Sequence, residues 1–450
     1  MPTAEDIAER LALGTSSVAS LAQAMQISQP TVTRALRELE RRHRVVRIGT
    51  TRGARYALRR PVATLGAKWP VYRIDEQGTP HELGKLNAIH RDSYYMPAGP
   101  ARIRGLFEGT PYYLQDARPA GFLGRAVAAV YPELGLPPRV VDWTDEHFLV
   151  YLTQRGADAT GNLIVGIESL NRYLDASQAP PVVSTENRPA RYPQLAIAAM
   201  AGKARGSSAH GEHPKFSVCV ADGDRRSHML VKFSPAQSTP TGRRWADLLT
   251  AEFIAHRVLD EHGIAACRST LLNCGDRVFL ECERFDRVGA DGRHGTVSLL
   301  AVDTARYGSV DNWTACAERL LADALLTSED AERIRFLDAF GALIGNTDRH
   351  LGNVTLFDHY EGLFELAPTY DMLPMLYAPE NDQLVDREFK PPLARAEWLS
   401  VWPPARTLAA AYWQRLTQES RLSADFQNLC ARNFAALQTM PLRGARPAGG

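Results

Sequence analysis

The chain has 450 residues, of which 45% are hydrophobic and 23% charged, and its 52 basic and 51 acidic side chains leave a net charge of +1. These values are typical of a soluble protein with room for two or three domains. No apolar run is long enough to span a bilayer, and the acidic start of the chain is unlike a signal peptide. Six cysteines without a Cys-x-x-Cys pair predict buried thiols in a reducing cytoplasm, and neither a disulfide scaffold nor a zinc knuckle.

The near-zero net charge hides an uneven distribution of charged residues. Residues 34–60 contain ten arginines and two glutamates, a net charge of about +8, so the rest of the chain carries about −7. A short basic segment attached to a mildly acidic body indicates an anionic partner such as nucleic acid.

The first 60 residues predict three short helices followed by a hairpin. Apolar residues recur at helical spacing over 4–13, 18–25 and 31–42, and strand-like segments follow at 45–48 and 55–58. This order resembles the winged helix-turn-helix, in which the third helix enters the major groove of DNA. We therefore predict a domain over residues 1–62 that binds double-stranded DNA. Its candidate contacts are Gln29, Thr31, Thr33, Arg34, Arg37 and Arg52. The alternative is a small helical domain whose arginines are only solvated.

Two segments in the middle of the chain carry candidate phosphate-binding groups. A small-residue loop at 206–215, which contains Ser208, Gly211 and Lys215, precedes an apolar strand pattern. Such a loop can hold phosphates through backbone N–H groups, although a plain surface loop has a similar composition. The next strand pattern, 229–233, contains Lys232, which either snorkels at a sheet edge or contacts nucleotide phosphates.

The helix pattern that follows favours a functional role for Lys232. Glu252 lies on the same stripe as the apolar residues of a helix predicted over 245–259, and a buried carboxylate needs a partner. A strand lysine paired with a helix glutamate is the arrangement found in protein kinases. The strand pattern at 278–283 would then lead into the hinge that contacts adenine, with Glu281 and Glu283 as candidate cofactor-binding residues.

The most informative segment is the loop at 345–353, between an apolar helix pattern and a short strand pattern. It carries Asp348 and, five residues later, Asn353, which is the spacing of the kinase catalytic base and its magnesium-binding asparagine. An Asx-rich helix end would give the same residues. Asp371 follows a second strand pattern, and a hairpin could return it beside Asn353 as a further magnesium ligand.

Together, these segments resemble the HipA family of bacterial serine/threonine toxin kinases. The motifs that carry the resemblance are SAHGEHPK at 208–215, VKF at 231–233, ERFDR at 283–287, TDRHLGN at 347–353 and PTYD at 368–371. The resemblance implies an α+β, protein-kinase-like fold, ATP and Mg²⁺ as cofactors, and phosphorylation of a serine or threonine hydroxyl on a protein substrate. It makes Asp348 the catalytic base, Asn353 and Asp371 the metal ligands, and Ser208 a candidate for autophosphorylation.

The predicted domain organisation departs from that family in one respect. HipA proteins usually pair with a separate DNA-binding antitoxin, whereas here a DNA-binding domain over 1–62 is fused to the kinase. An antitoxin remains a possible partner. Two HipA-like subdomains are expected to follow, a mixed one over 68–305 and a helical one over 306–441. We expect a linker over residues 178–193, which are rich in proline, and a cytoplasmic protein without a membrane partner.

Two other functions are compatible with the same residues. One is a DNA-binding transcription regulator whose kinase-like body only senses a ligand. The other is a metal-dependent nuclease that uses Asp348, His350, His359 and Asp371 as ligands, because nuclease sites also cluster aspartate and histidine.

Overall fold

The computed structural model describes residues 3–50, 53–90, 92–175, 180–202 and 211–440, and these residues form an α+β fold. Three sheets with separate hydrophobic cores follow one another along the chain, and a mainly helical part completes it. Among the described residues, no helix combines the length and the apolar character needed to cross a bilayer.

The N-terminal unit contains three helices and a small antiparallel sheet of order β1-β3-β2. Its elements are α1 (Ala4–Ala12), β1 (Ser16–Ser17), α2 (Val18–Met25), α3 (Gln29–Arg41), β2 (Val45–Ile48) and β3 (Arg55–Leu58). The three helices have the hydroxyl residues Thr3, Ser17 and Ser28 as N-caps, and each of these side chains accepts a hydrogen bond from a backbone N–H of the first turn. The helices predicted from the apolar spacing are therefore present at nearly the expected positions.

The N-terminal unit packs against the next sheet through its strands β2 and β3. Val46 and Ala57 form a small buried cluster with Ile89. The Arg59 guanidinium donates to Asn87 Oδ1 at 2.9 Å and to the His43 carbonyl at 3.0 Å. The N-terminal unit is thus attached through packed side chains as well as through the chain itself.

The middle unit is a five-stranded antiparallel sheet of order β7-β6-β5-β4-β8, flanked by helices. Its elements are β4 (Lys68–Ile74), β5 (Pro80–Ile89), β6 (Ser93–Met96), β7 (Gly105–Glu108), α4 (Gly121–Val130), α5 (Asp145–Arg155), β8 (Leu163–Val165) and α6 (Ile167–Leu174). Tyr94, Tyr113 and Phe148 are prominent in its core.

A second five-stranded sheet, of order β12-β13-β11-β10-β9, carries the lysine and hinge segments. Its elements are β9 (Val182–Ser184), α7 (Arg188–Met200), β10 (Lys215–Asp222), β11 (Arg225–Phe233), α8 (Pro240–Glu261), β12 (Ser269–Cys274) and β13 (Arg277–Glu283). Helix α7 packs against one face with Tyr192, and α8 packs against the other with Leu249. The stretch expected as a linker is instead occupied largely by β9 and the start of α7, so that prediction was wrong.

The C-terminal part is mainly helical and is built around one large core. Its elements are β14 (Arg287–Val288), β15 (Gly292–Arg293), β16 (Thr296–Ser298), α9 (Leu299–Arg306), α10 (Trp313–Ala322), α11 (Ser328–Leu343), β17 (Thr355–Phe357), β18 (Glu365–Leu366), α12 (Trp402–Thr417) and α13 (Ala424–Gln438). Trp313, Trp398 and Trp413 are fully buried in the core. The loop after α11 and the segment after β18 face the second five-stranded sheet across a cleft.

Candidate active site

A cleft with about 910 Å³ of open space lies between the second five-stranded sheet and the C-terminal loops. Lys215 and Lys232 lie on the sheet side, whereas Asn353 and Asp371 lie on the loop side. The apolar and aromatic part of the cleft wall is formed by Leu230, Phe285 and Tyr370. The cleft therefore combines cationic groups, oxygen ligands and an apolar surface, the mixture expected of a small-molecule site.

Lys232 is the centre of the charged part of this cleft. It lies on β11 with only 6% of its surface exposed, and its Nζ donates to Glu252 Oε1 at 2.5 Å and to Asp371 Oδ1. Glu252 reaches it from the buried face of α8. The predicted ion pair between Lys232 and Glu252 is present, and Asp371 is a third member that the sequence did not assign to it.

These three groups shift one another's proton affinities. Burial raises the pKa of Glu252, and Lys232 offsets part of that effect. Burial also opposes ionisation of Asp371, but Lys232 and Lys215 outweigh it and bring the Asp371 pKa down to about 2. Burial likewise disfavours the charged Lys232, yet Asp371 and Glu252 together hold its pKa well above the ordinary value. Lys232 and Asp371 are therefore both charged at neutral pH.

Lys215 is a second buried cation directly beside the first. It begins β10, opposite Lys232 in the antiparallel register, and 2% of its surface is exposed. Burial lowers the Lys215 pKa to about 8. Gly211, with φ +95°, passes so close that a Cβ there would lie 2.7 Å from Lys215 Nζ. A side chain at position 211 would therefore displace the ammonium from the cleft.

The loop after α11 presents the predicted catalytic residues. Asp348 leaves 52% of its side chain exposed, and its backbone N–H donates to Asn346 Oδ1 at 3.0 Å. Asn353 Nδ2 donates to the Asp348 carbonyl at 2.8 Å, so its carboxamide is oriented by the loop itself. Asp348 and Asn353 are thus held in one rigid turn.

Asn346 is a structural member of this site that sequence reasoning missed. Besides accepting from the Asp348 N–H, it donates from Nδ2 to the Asp371 carbonyl at 3.1 Å. The Asp371 backbone is in the left-handed region, φ 52°, and its N–H donates to Glu252 Oε1 at 3.2 Å. The signal in the sequence that could have identified Asn346 is its position directly after an apolar helix pattern, where an asparagine becomes buried.

Further bonds anchor the loop to the helical core. The Arg349 Nε donates to Asp338 Oδ1 at 3.1 Å, and Asp338 also accepts from Thr314 and Trp398. The Trp313 indole donates to the His350 carbonyl at 2.8 Å, while His350 Nδ1 accepts from the Gly352 N–H at 3.1 Å. The His350 backbone and ring thus both help to hold the loop in place.

One predicted cofactor residue points away from the cleft. Glu281 lies on the face of β13 covered by α7, where its carboxylate binds Arg188 at 2.7 Å and Tyr192. The Glu281 side chain therefore does not face the cleft, and the contact of this strand's backbone with adenine stays a prediction. Glu283, two residues later, does line the cleft.

Two predicted residues, Ser208 and Arg52, lie outside the described residues. Among the other candidate DNA contacts, Gln29, Arg34 and Arg37 are exposed on α3. Thr31 and Thr33 are half-buried, and their hydroxyls bond to Ser28 and to the Gln29 carbonyl.

The ligand set proposed for a nuclease does not assemble. His359 is exposed, and its nearest acidic partner is Glu365 at 3.8 Å. Within the described ranges, the His, Cys, Asp and Glu side chains form one group compact enough to hold a metal ion, and this group contains neither Asp348 nor His359.

Comparison with known proteins defines the class to which this fold and site belong. Residues 207–433 match the profile of the HipA-like C-terminal domain, and residues 65–174 match that of the YjjJ-like toxin middle domain. The chain therefore belongs to the HipA-like toxin family. It is 35% identical to Toxin YjjJ of Escherichia coli K12 over 451 residues, which cover 99% of this chain and 100% of that protein.

A solved structure supports the same fold assignment. The HipA toxin–antitoxin complex of Shewanella oneidensis MR-1, which contains HipA, HipB and operator DNA, matches with a TM-score of 0.51 and 17% identity. The match covers 82% of this chain and 95% of that chain. The α+β, HipA-type kinase-like fold expected from the sequence motifs is thereby confirmed.

Proposed function

We propose that this chain is an ATP- and Mg²⁺-dependent kinase that phosphorylates serine or threonine hydroxyls of a protein. The observation that carries the proposal is the position of Lys232 between Glu252 and Asp371, facing the loop with Asp348 and Asn353. A lysine fixed by a helix glutamate, an aspartate beside it and a separate loop aspartate are the parts that phosphoryl transfer requires.

The side chains of the cleft fit a nucleotide that carries a divalent cation. Two buried ammonium groups, Lys215 and Lys232, suit phosphate oxygens, and Leu230 and Phe285 suit the flat face of a base. Asn353 and Asp371 would hold Mg²⁺, which prefers oxygen ligands of this type. When bound, Mg²⁺ supplies positive charge that offsets the charge of the transferred phosphoryl group.

Asp348 would act as the general base. Its carboxylate is half exposed and lies on a loop fixed by Asn346 and Asn353, so a hydroxyl from another protein can reach it. Holding the base in a rigid turn keeps it in place for the approaching hydroxyl, which is the main contribution a protein makes to this chemistry.

The N-terminal unit would bind double-stranded DNA through α3. Gln29, Arg34 and Arg37 are exposed along one helix, and Arg52 is expected in the hairpin that follows. The complex of HipA with HipB and operator DNA supports DNA and an antitoxin as partners of a protein of this family. Here the DNA contact would be made by the toxin chain itself.

Labelled ATP tests the proposal against its alternatives. The full chain is incubated with γ-labelled ATP and Mg²⁺, with and without duplex DNA. Label on protein supports the kinase, unchanged ATP and DNA support a ligand-sensing regulator, and cleaved DNA supports a nuclease. Mapping the labelled peptides also tests Ser208, since phosphate there is expected only when Asp348 is intact.

A further inference from the structure

A second polar cluster lies behind the lysine ion pair, on the side away from the catalytic loop. Glu252 and His256 are one turn apart on α8, and Cys282 faces them from β13. One potential ligand atom from each residue lies within 4.8 Å of the others, and all three residues are buried. The kinase chemistry proposed above uses neither His256 nor Cys282.

Two atoms of this cluster are buried without a hydrogen bond. Glu252 Oε2 and His256 Nε2 find no hydrogen-bond partner among the described residues. The opposite atoms of both side chains are occupied, because Glu252 Oε1 accepts from Lys232 and His256 Nδ1 bonds to Ser269 Oγ at 3.0 Å. A buried polar atom without a partner is costly, so two such atoms side by side call for a ligand that satisfies both.

The fixed orientation of the imidazole is the kind that a metal-binding histidine needs. A ligand histidine usually bonds through its other ring nitrogen, which sets the tautomer and aims the free nitrogen. The bond between Nδ1 and Ser269 leaves Nε2 directed at the cluster, 3.7 Å from the Glu252 carboxylate.

The cluster also lies close to solvent. The neighbouring Cys267 thiol donates to the Glu283 carbonyl at 3.4 Å. Cys267 and Cys282 line the main cleft, whereas Cys267 and His256 line a neighbouring groove. The cluster thus lies next to two solvent-accessible depressions.

We propose that Glu252, His256 and Cys282 bind a divalent transition-metal ion of the zinc class. One carboxylate oxygen, one imidazole nitrogen and one sulfur suit Zn²⁺, which also occurs with three protein ligands and one further group, and they disfavour Mg²⁺, which binds oxygen. Binding releases the Cys282 thiol proton to solvent as the thiolate–metal bond forms. Because Glu252 uses Oε2 for the ion and Oε1 for Lys232, this site is separate from the proposed Mg²⁺ position at Asn353 and Asp371.

The direct test is metal binding by the tag-free full chain after removal of metals. Co²⁺, the probe, is added in the presence of excess Mg²⁺, and Zn²⁺ is then titrated in. We expect one Co²⁺ per chain with a thiolate charge-transfer band and the visible bands of tetrahedral cobalt, both removed by one equivalent of Zn²⁺. Cys282→Ser and His256→Gln are each expected to weaken Zn²⁺ binding at least about tenfold.

The matched control is Cys274→Ser, which removes a buried thiol from the other face of the same sheet. It should leave the metal affinity unchanged. Equal affinity in wild type, Cys282→Ser and His256→Gln, or a Co²⁺ spectrum without a thiolate band, would overturn the proposal in favour of a protonated carboxyl bonded to the imidazole.

A measurement on the wild-type chain keeps the proposal testable if the variants do not fold. The rate at which each cysteine is alkylated is followed by peptide mass spectrometry with and without Zn²⁺. Selective protection of Cys282, but not of Cys274, supports the site. Equal rates in the two conditions contradict it.

Discussion

At the scale of single residues, the cleft is organised by buried charges that neutralise one another. An isolated ammonium at the position of Lys232 would be expensive to desolvate, and Glu252 and Asp371 offset that cost. Since the Glu252 carboxylate also accepts from the Asp371 backbone N–H, the group that stabilises Lys232 also fixes the geometry of Asp371. Stability and site geometry therefore depend on the same residues.

Lys215 gives a prediction for the pH dependence of the proposed nucleotide binding. With its pKa lowered to about 8 by burial, Lys215 loses its charge as the pH rises through 8, while bound phosphate would keep it protonated. We expect the affinity for ATP to be constant below pH 8 and to fall by up to about tenfold per pH unit above it. Lys215→Met should bind ATP weakly and without this dependence.

Equilibrium binding of a fluorescent ATP analogue between pH 6.5 and 9.5 provides the check. The control is Lys85→Met, which removes an exposed lysine from the middle sheet and should keep the wild-type profile. A Lys215→Met chain with the same fall above pH 8 would show that another group is responsible.

Asn346 connects the two halves of the proposed catalytic machinery. Asn346→Ala leaves the Asp348 N–H and the Asp371 carbonyl without their partner. We expect a loss of about 1–3 kcal/mol in the free energy of unfolding for each unpaired group, and weaker Mg²⁺-dependent binding of ATP. Urea denaturation and nucleotide titration measure both effects. The exposed Asn273→Ala should change neither, and wild-type binding by Asn346→Ala would rule out the connecting role.

At the scale of elements, the buried face of a helix could be predicted from the sequence more reliably than the buried face of a strand. The helix with Glu252 was expected over 245–259 and is found as Pro240–Glu261, and its apolar stripe correctly placed Glu252 on the buried side. The contact of the Glu281 side chain with α7 was not predicted, because the pairing of a strand with its neighbours is not contained in one sequence. The linker prediction failed because a proline in the first turn of a helix, such as that of α7, does not prevent the helix.

The contacts missed at the site are those between distant segments of the chain. Lys232 and Asp371 are far apart in sequence, and their contact arises from the closing of two separate parts of the chain around the cleft. The cluster of Glu252, His256 and Cys282 also brings together residues from separate segments, in this case α8 and β13. Motif spacing within one loop, as in Asp348 and Asn353, is a local property and was predictable.

The surface of α3 gives a prediction for DNA binding. Arg34→Gln and Arg37→Gln remove exposed charges where binding to DNA is proposed. Each arginine that binds a phosphate contributes about 1 to the slope of log affinity against log salt concentration, so each variant should show a slope smaller by about 1. Fluorescence anisotropy with a labelled duplex at several salt concentrations measures the slope.

Arg44→Gln is the matched control for these variants. It removes the same charge from the same unit, but Arg44 already pairs with Glu5 at 3.1 Å, so the slope should change little. Identical slopes for all three variants and the wild type would exclude α3 as the DNA-contacting surface.

At the scale of the whole molecule, a buried charge network joins the middle unit to the kinase-like body. Arg287 binds Asp158 at 3.0 Å and Asp286 at 2.7 Å, and Arg284 contacts the same two carboxylates. Asp158 belongs to the middle unit, whereas the other three residues follow β13. We expect Arg287→Met to reduce the free energy of unfolding by an amount near the lower end of about 3–5 kcal/mol, because Arg284 still pairs with both carboxylates.

The pH dependence of this loss follows from the lowered pKa values of both aspartates. Burial opposes their ionisation, but the arginines outweigh it and hold the Asp158 and Asp286 pKa values below the ordinary range. Their stabilisation is complete above the unfolded pKa, near pH 4, and disappears as the pH falls further. Chemical denaturation should show the difference between wild type and Arg287→Met shrinking below about pH 4. The exposed control Arg139→Met should leave the midpoint unchanged, and a difference that grows in acid would contradict the network.

The most direct test of the kinase assignment is phosphotransfer by Asp348→Asn, compared with the wild-type chain under single-turnover conditions. The variant keeps the backbone bonds of the loop, so the fold and the Mg²⁺-dependent affinity for ATP should stay at the wild-type level. Loss of the general base should lower the rate of label transfer to protein by about 10²–10⁴-fold. The exposed Asp224→Asn, made as a control, should transfer label at the wild-type rate. A well-folded Asp348→Asn chain that transfers phosphate as fast as the wild type would contradict the assignment of this cleft.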